Sequence, residues 1–163
     1  MQIDIDITDA RWETLGLAQI STDALTAVLA RLGIDPEACE VSILGCDDAR
    51  IKELNSDFRD KDKATNVLSW PAQDRSADLG QVPELPATDV FGEVELGDIA
   101  ISYDTCVNEA EAANKPIIHH VTHLVIHGIL HLLGYDHIND ADAAIMEQLE
   151  TELLETMGIP DPY

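Results

Sequence analysis

Alternation of polar and apolar side chains marks the strands of this chain. Residues 2–7 read QIDIDI, and their strict alternation predicts a strand with one buried face. Short runs at residues 41–44, 66–70 and 95–102 predict three further strands, and the run at 66–70 ends at Pro71. The pattern therefore predicts a small sheet of four strands.

Apolar residues spaced three and four apart predict the helices. One such series runs from Leu25 to Leu32, with Ser21 or Thr22 placed to cap the helix start and Gly33 to end it. Four further helices are predicted at residues 48–58, 103–114, 116–133 and 140–157. The helix at 116–133 is apolar with embedded histidines, so we expect it to be central and buried. The expected fold is a single α+β domain over residues 1–163 with about five helices.

One long segment shows neither helical nor strand periodicity of its hydrophobic residues. Residues 72–93 are rich in Asp, Pro and Gly, which predicts an irregular loop. A loop of roughly 20 residues is unusual in a compact domain and is often functional. Both a lid and an ordered connection are compatible with this composition.

Bulk composition excludes several classes of protein. The chain has 163 residues, of which 45% are hydrophobic and 25% charged, as in soluble globular domains. No apolar run approaches the roughly 20 residues needed to cross a bilayer. The acidic, alternating start does not resemble a signal peptide, so we expect a cytoplasmic protein without a membrane partner. The three cysteines lack Cys-x-x-Cys spacing and are expected to be reduced, buried thiols.

A net charge of −23 counts against a broad nucleic-acid-coating surface. Five of the nine basic residues nevertheless lie close together in the sequence: Arg50, Lys52, Arg59, Lys61 and Lys63. Two interpretations are open. The cluster is either a solvated helix face with acidic partners such as Glu53 and Asp57, or a small phosphate-binding patch on an otherwise repelling body.

All six histidines lie between residues 119 and 137. His127 and His131 are one helical turn apart and can point at a common atom, at the nitrogen distances of about 2.0–2.1 Å that zinc requires. Gly134 suits the left-handed turn that ends a helix, after which the chain can bring His137 to the same ion. Three imidazoles leave a fourth position open, which is typical of a catalytic zinc site. We therefore expect one Zn²⁺ per chain.

The remaining histidines have a different expected role. For any single histidine on an apolar helix, a hydrogen-bonded core residue is the more common explanation, but three at this spacing around a glycine favour a metal. His123 is expected beside the site, either supporting a ligand or facing substrate. His119 and His120 are expected to be surface or packing residues.

The same spacing occurs in the metzincin zinc proteases, His-Glu-x-x-His-x-x-Gly-x-x-His, with one important difference. This chain has Gly128 where those proteases carry the glutamate that acts as general base. The sequence therefore gives little support to metzincin-type peptide hydrolysis. Asp136, next to His137, is a candidate base or ligand-orienting group, and a solvated turn aspartate is the alternative.

Three segments together resemble a known family. HGILHLLGYDH, the upstream LNSDFRDKDKATNVLSWP and the intervening GDIAIS are similar to the signature of the YbeY family of bacterial endoribonucleases and ribosomal-RNA maturation factors. The resemblance implies a compact α+β fold with a small mixed sheet, three histidines on one metal, usually zinc, and hydrolysis of single-stranded RNA. It further implies a functionally important arginine at Arg59, which suits a phosphate-binding guanidinium.

The leading hypothesis is thus a zinc-dependent single-strand endoribonuclease in ribosomal-RNA processing and ribosome quality control. DNA is not an expected substrate, and a small ribosomal subunit or a ribosomal protein is the expected partner. Because the charge of −23 repels RNA, binding to free RNA should be weak and salt-dependent. Two alternatives stay open: a metallohydrolase or peptidase with another substrate, and a non-catalytic ribosome assembly factor with a structural zinc.

Overall fold

A computed structural model describes residues 1–163 and contains one four-stranded sheet. Its strands are β1 (Gln2–Ile7), β2 (Cys39–Cys46), β3 (Val67–Pro71) and β4 (Val94–Ser102). The spatial order is β1-β2-β4-β3, in which β1, β2 and β4 are parallel and β3 is antiparallel to β4. All four strands predicted from the sequence are confirmed within one or two residues, and the sheet is mixed.

Six α-helices and one short 3-10 turn, Pro36–Ala38, complete the fold. The helices are α1 (Arg11–Leu15), α2 (Leu17–Leu32), α3 (Asp48–Arg59), α4 (Tyr103–Ala112), α5 (Ile117–Leu132) and α6 (Asp140–Thr156). The sequence predicted all of these except α1, whose five residues are too few to display a helical period. Its Trp12 is nevertheless fully buried. None of the helices combines the length and hydropathy that a membrane span requires.

The predicted start of α2 is wrong. The helix begins at Leu17, directly after Gly16, which adopts a left-handed conformation with φ 89° and separates α1 from α2. Ser21 and Thr22 therefore lie inside the helix, and the Thr22 hydroxyl donates to the carbonyl of Ala18 at 2.9 Å instead of capping. Ser and Thr can bond to a carbonyl one turn back, so their presence did not mark a helix start here.

Helices pack on both faces of the sheet. Helices α2 and α5 pack on one face, where Ile99 and Ile101 of β4 join the main hydrophobic core. Helix α3 packs on the other face, where its Ile51 and Leu54 contact Ala100. This explains why β4 is buried almost continuously, whereas β1, at the sheet edge, keeps its alternating pattern. The expectation that α5 is central is confirmed, since it contacts α2, α4, α6, β3 and β4.

The segment between β3 and β4 is irregular, as predicted, but it is pinned at several points. Arg75 donates hydrogen bonds to the carbonyls of Glu95 at 2.9 Å and Leu132 at 3.1 Å. Further along, the amide of Gly80 donates to the Asp142 carboxylate at 2.8 Å. These contacts tie the segment to β4, to the end of α5 and to α6, so it is an ordered connection. The three cysteines are buried and free, as expected.

Candidate metal centre

Three histidines predicted as metal ligands converge at the end of α5. His127 and His131 occupy its last turns, and their ring centroids are 4.5 Å apart. His137 follows in the next turn, with its ring 5.0 Å from that of His127 and 5.1 Å from that of His131. One ligand atom from each residue lies within 4.8 Å of the others, so the group can hold a metal ion.

A glycine turn brings His137 to the site. Gly134 has φ 103°, a conformation that L side chains rarely adopt, and a Cβ there would lie 2.1 Å from the carbonyl oxygen of Arg75. The Tyr135 amide then donates to the carbonyl of Leu130 at 3.0 Å and closes the end of the helix. The sequence prediction of a glycine break is confirmed, and the close approach of Arg75 adds a second requirement for glycine.

Hydrogen bonds fix the tautomers of two candidate ligands. Nδ1 of His127 lies 2.6 Å from Oε1 of Glu150, and Nδ1 of His131 lies 2.9 Å from the carbonyl of Tyr135. Both partners are acceptors, so both Nδ1 atoms donate, and the Nε2 atom of each ring, in its neutral form, presents a lone pair. Those two Nε2 atoms are 3.0 Å apart. Two such nitrogens can share a cation, and the donor set therefore fits a divalent metal.

The surroundings of His131 keep this ring in the form that binds metal. Burial, followed by the charges of His127 and His137, lowers the pKa of His131 to about 4, so this ring is neutral at physiological pH. Burial alone would raise the pKa of Glu150, but hydrogen bonds from His123, His127 and Tyr163 outweigh it and hold the pKa at about 2. Glu150 is therefore a buried carboxylate with its charge intact.

The sequence analysis did not identify Glu150 as a site residue. In the structure its side chain is fully buried. It lies on the apolar face of α6 between Met146 and Leu153, both of which are buried. A carboxylate at an apolar position of an amphipathic helix is the signal that could have identified it. The hydroxyl of Tyr163 donates to its Oε2, and Nε2 of His123 lies 3.4 Å from the same oxygen. His123 thus lies beside the metal site, as predicted.

Arg59 lies in the same groove as the histidines, which has a volume of about 960 Å³ and also includes Lys61. One guanidinium nitrogen of Arg59, Nη2, donates to the carbonyl of Ser69 at 2.8 Å. The predicted basic cluster is divided by the fold. Arg50 pairs with Glu53 on the helix surface at 2.9 Å, as the solvated-face interpretation requires, whereas Arg59 and Lys61 face the groove.

Asp136 also lines the groove, and its Oδ1 accepts a hydrogen bond from the backbone amide of His137 at 2.7 Å. The contact orients the turn that carries His137.

His120 does not line the groove, and its Nε2 lies 2.9 Å from the Glu109 carboxylate. Of the candidate site residues, the structure therefore brings the three histidines, Arg59 and Asp136 into one groove.

Gly128 does not line the groove of the candidate metal centre. It is buried, and a Cβ there would lie 3.1 Å from Cδ1 of Ile99 and 3.2 Å from Oγ of Ser69, both on the sheet. The position that carries the general base in metzincins is therefore packed against β3 and β4. A larger side chain at this position would have to displace Ile99 or Ser69.

The fold and the site together define a class of α+β proteins with a three-histidine group, two residues on a central helix and one in the following turn, in a groove that also contains an arginine. The model of the family described as Endoribonuclease YbeY matches residues 2–158. Proteins named Endoribonuclease YbeY are similar over nearly their whole lengths. The one from Ruegeria pomeroyi is 56% identical, covering 100% of this chain and 98% of the relative. That from Cereibacter sphaeroides is 49% identical, covering 99% and 98%.

The chain belongs to the YbeY family of endoribonucleases, so the resemblance found in its motifs and the expectation of an endoribonuclease are both confirmed. The solution structure of TM1509 from Thermotoga maritima has a similar fold, with a TM-score of 0.58 and 23% identity. That likeness covers 96% of this chain and 92% of the other. It supports the α+β fold independently of the motifs.

Proposed function

We propose that the chain is a zinc-dependent, single-strand-specific endoribonuclease acting in ribosomal-RNA maturation and ribosome quality control. Residues 1–163 form one functional domain, and we place it in the cytoplasm. The observation that carries the proposal is the pair of His127 and His131 Nε2 atoms facing each other at 3.0 Å in a groove that contains Arg59. Metal ligands and a phosphate-binding group then lie on the same substrate path.

His127, His131 and His137 would hold the zinc ion. Three neutral imidazoles suit Zn²⁺, and three protein ligands leave a position for substrate or water. When bound, the ion supplies Lewis-acid polarisation of a phosphoryl oxygen and lowers the pKa of a coordinated water. Glu150 raises the basicity of His127 and fixes its orientation, since carboxylates hydrogen-bonded to ligand histidines act in this way.

Arg59 would bind the scissile phosphate. A guanidinium has five N–H donors in a planar fork that matches phosphate oxygens, and the bond to Ser69 uses one of them. That bond also restrains the side chain, so less conformational entropy is lost when phosphate binds. The positive charge stabilises the negative charge that develops on the phosphate during cleavage. Lys61, in the same groove, would contact the neighbouring backbone.

Asp136 would have two tasks. Through Oδ1 it orients His137, and its second oxygen would accept the proton of the attacking nucleophile. It is the carboxylate next to the third histidine, and it lines the groove. A peptidase is less well supported, because Gly128 packs against the sheet and leaves the protease general base without a position.

Substrate affinity is limited by charge. A chain with a net charge of −23 repels polyanions, so Arg59 and Lys61 provide only local attraction. We propose that a small-ribosomal-subunit protein adds the contacts that make cleavage efficient. Free RNA should bind weakly and with strong salt dependence, and DNA should not be cleaved.

The test compares the wild type with His127→Ala and Arg59→Ala on single-stranded RNA, duplex RNA and casein. Arg31→Ala is the matched control, because Arg31 pairs with Glu152 on the surface at 2.9 Å. We expect the wild type and the control to cleave only single-stranded RNA. His127→Ala should lose cleavage, and Arg59→Ala should lose most of it. Only His127→Ala should also lose bound zinc. Casein cleavage, or RNA cleavage that survives in His127→Ala, would refute the proposal.

A further inference from the structure

Tyr163 is an exposed aromatic residue whose polar end is held in place. The residue is 60% exposed, yet its hydroxyl donates to Oε2 of the fully buried Glu150 and lies 3.3 Å from Nε2 of His123. Burial of the hydroxyl and the negative charge of Glu150 raise the pKa of Tyr163, so the hydroxyl stays a donor. The Tyr163 hydroxyl is therefore held in place while the rest of the residue stays exposed.

The chain around Tyr163 restrains its backbone as well. The Tyr163 amide donates to Oδ1 of Asp161 at 2.9 Å, and Nζ of Lys115 donates to the carbonyl of Pro162 at 3.1 Å. Asp161 also accepts from the Thr151 hydroxyl on α6 at 3.4 Å. Both ends of the side chain are thus anchored, and a contact with the ring costs little conformational entropy.

The ring lies within the groove of the metal centre. It stands perpendicular to the His123 ring, at 86° and a centroid distance of 5.5 Å, and His123 is 6.2 Å from His127. Tyr163 and Arg59 line the same groove, and the three candidate ligands lie there as well. A strand whose phosphate contacts Arg59 at the metal centre would therefore pass the exposed face of Tyr163.

Rigid aromatic faces beside a single-strand path are the usual platforms for nucleobases. Bases of single-stranded RNA stack on tyrosine or histidine rings, and this contact tolerates any base because each has a π-face. In a protein with a net charge of −23, such an uncharged contact avoids the repulsion that weakens backbone binding.

We propose that the exposed face of Tyr163 is a stacking subsite for one unpaired nucleobase of the RNA strand at the metal centre. The inference rests on the proposed function, because it assigns a substrate contact to that site. The subsite selects unpaired RNA, since a base in a duplex is already stacked and paired. It does not select a particular base.

The test uses zinc-loaded wild type, Tyr163→Phe and Tyr163→Leu. Both variants lack the hydroxyl bond to Glu150, and only Tyr163→Phe keeps an aromatic face. KM and kcat are measured on a single-stranded RNA and on a series in which one nucleotide at a time is abasic. Phe91→Leu is the matched control, since Phe91 is 83% exposed and lies outside the groove.

We expect Tyr163→Leu to have a KM about tenfold above that of Tyr163→Phe, the effect of losing one stacked base. An abasic nucleotide at one position should raise KM by a similar factor in the wild type and in Tyr163→Phe, and by almost nothing in Tyr163→Leu. Equal KM values for the two variants, or an abasic penalty that persists in Tyr163→Leu, would overturn the subsite while leaving the ribonuclease intact. Absence of RNA cleavage by the wild type would instead refute the proposed function and, with it, this inference.

Discussion

Glu150 on α6 accepts a hydrogen bond from Nδ1 of His127 on α5 at 2.6 Å. The carboxylate is fully buried, and its pKa of about 2 keeps it charged. A buried charge of this kind is costly unless it is paired and hydrogen-bonded. Its position therefore makes sense as a support for His127, whose Nε2 it directs toward the other two histidines.

The first prediction concerns that support. Glu150→Gln keeps the size and an acceptor oxygen but removes the charge, so we expect zinc affinity to fall about 10- to 100-fold. Competition with a chromophoric chelator measures the change. Glu152→Gln, two residues along the same helix and exposed on the surface, is the control and should bind zinc like the wild type. Unchanged zinc affinity in Glu150→Gln would show that His127 needs no such partner.

The second prediction concerns the turn that places His137. Gly134→Ala would force a Cβ to within 2.1 Å of the Arg75 carbonyl oxygen, at a backbone φ of 103°. We expect the free energy of unfolding to fall by roughly 3 kcal/mol, and zinc affinity to fall with it. Gly158→Ala is the control, because its φ is also positive, at 74°, but nothing lies within 4 Å of the added atom. It should lose only about 1 kcal/mol by urea unfolding. Equal losses in the two variants would contradict the close approach of Arg75.

The third prediction separates charge from geometry at Arg59. Arg59→Ala should lower kcat/KM for RNA by about 100-fold, the typical effect of removing one donor that stabilises developing charge. Arg59→Lys keeps the charge but loses the planar fork, and it should recover only part of that loss. Lys52→Ala, whose amino group lies near Asp62 at 3.9 Å, is the control in steady-state assays. Full activity in Arg59→Lys would mean that charge alone suffices.

The fourth prediction concerns the pH dependence of the metal-free protein. The pKa of His131 is lowered to about 4 from an ordinary value near 6.5. Between these values the unfolded chain binds a proton that the native state does not, so stability rises with pH. The stabilisation is complete above about pH 6.5 and is lost as pH falls toward 4. Urea unfolding in the presence of a chelator should show this slope in the wild type and a weaker slope in His131→Gln. Identical slopes would exclude His131 as the source.

Local patterns explain why much of the fold could be predicted. The alternation in β1 and the helical spacing in α2 are set by neighbouring residues, and Asp47 caps α3 locally by accepting from the Arg50 amide at 2.9 Å. The three histidines lie within eleven residues, so helix geometry and one glycine turn were enough to bring them together.

The features that the sequence did not predict depend on contacts between segments that are distant in the sequence. Glu150 lies 23 residues from His127 in the sequence, on a helix with several other acidic residues, so its charge alone does not single it out. Tyr163 reaches the site through contacts with Glu150 on α6 and His123 on α5, which lie 13 and 40 residues away in the sequence. Helix α1 is held to the core by Trp12, which is buried and donates to the Cys46 carbonyl at 2.9 Å. Hydrophobic periodicity within five residues cannot predict this long-range contact.

The central claim is that His127, His131 and His137 hold the metal on which RNA cleavage depends. Its most direct test removes metal from the purified wild type with a chelator and measures cleavage of single-stranded RNA before and after zinc is returned. We predict that cleavage is lost with the metal and is restored by about one equivalent of Zn²⁺ per chain, as a single three-histidine site requires. His127→Ala should not be restored. Undiminished cleavage by the metal-free wild type would contradict the claim.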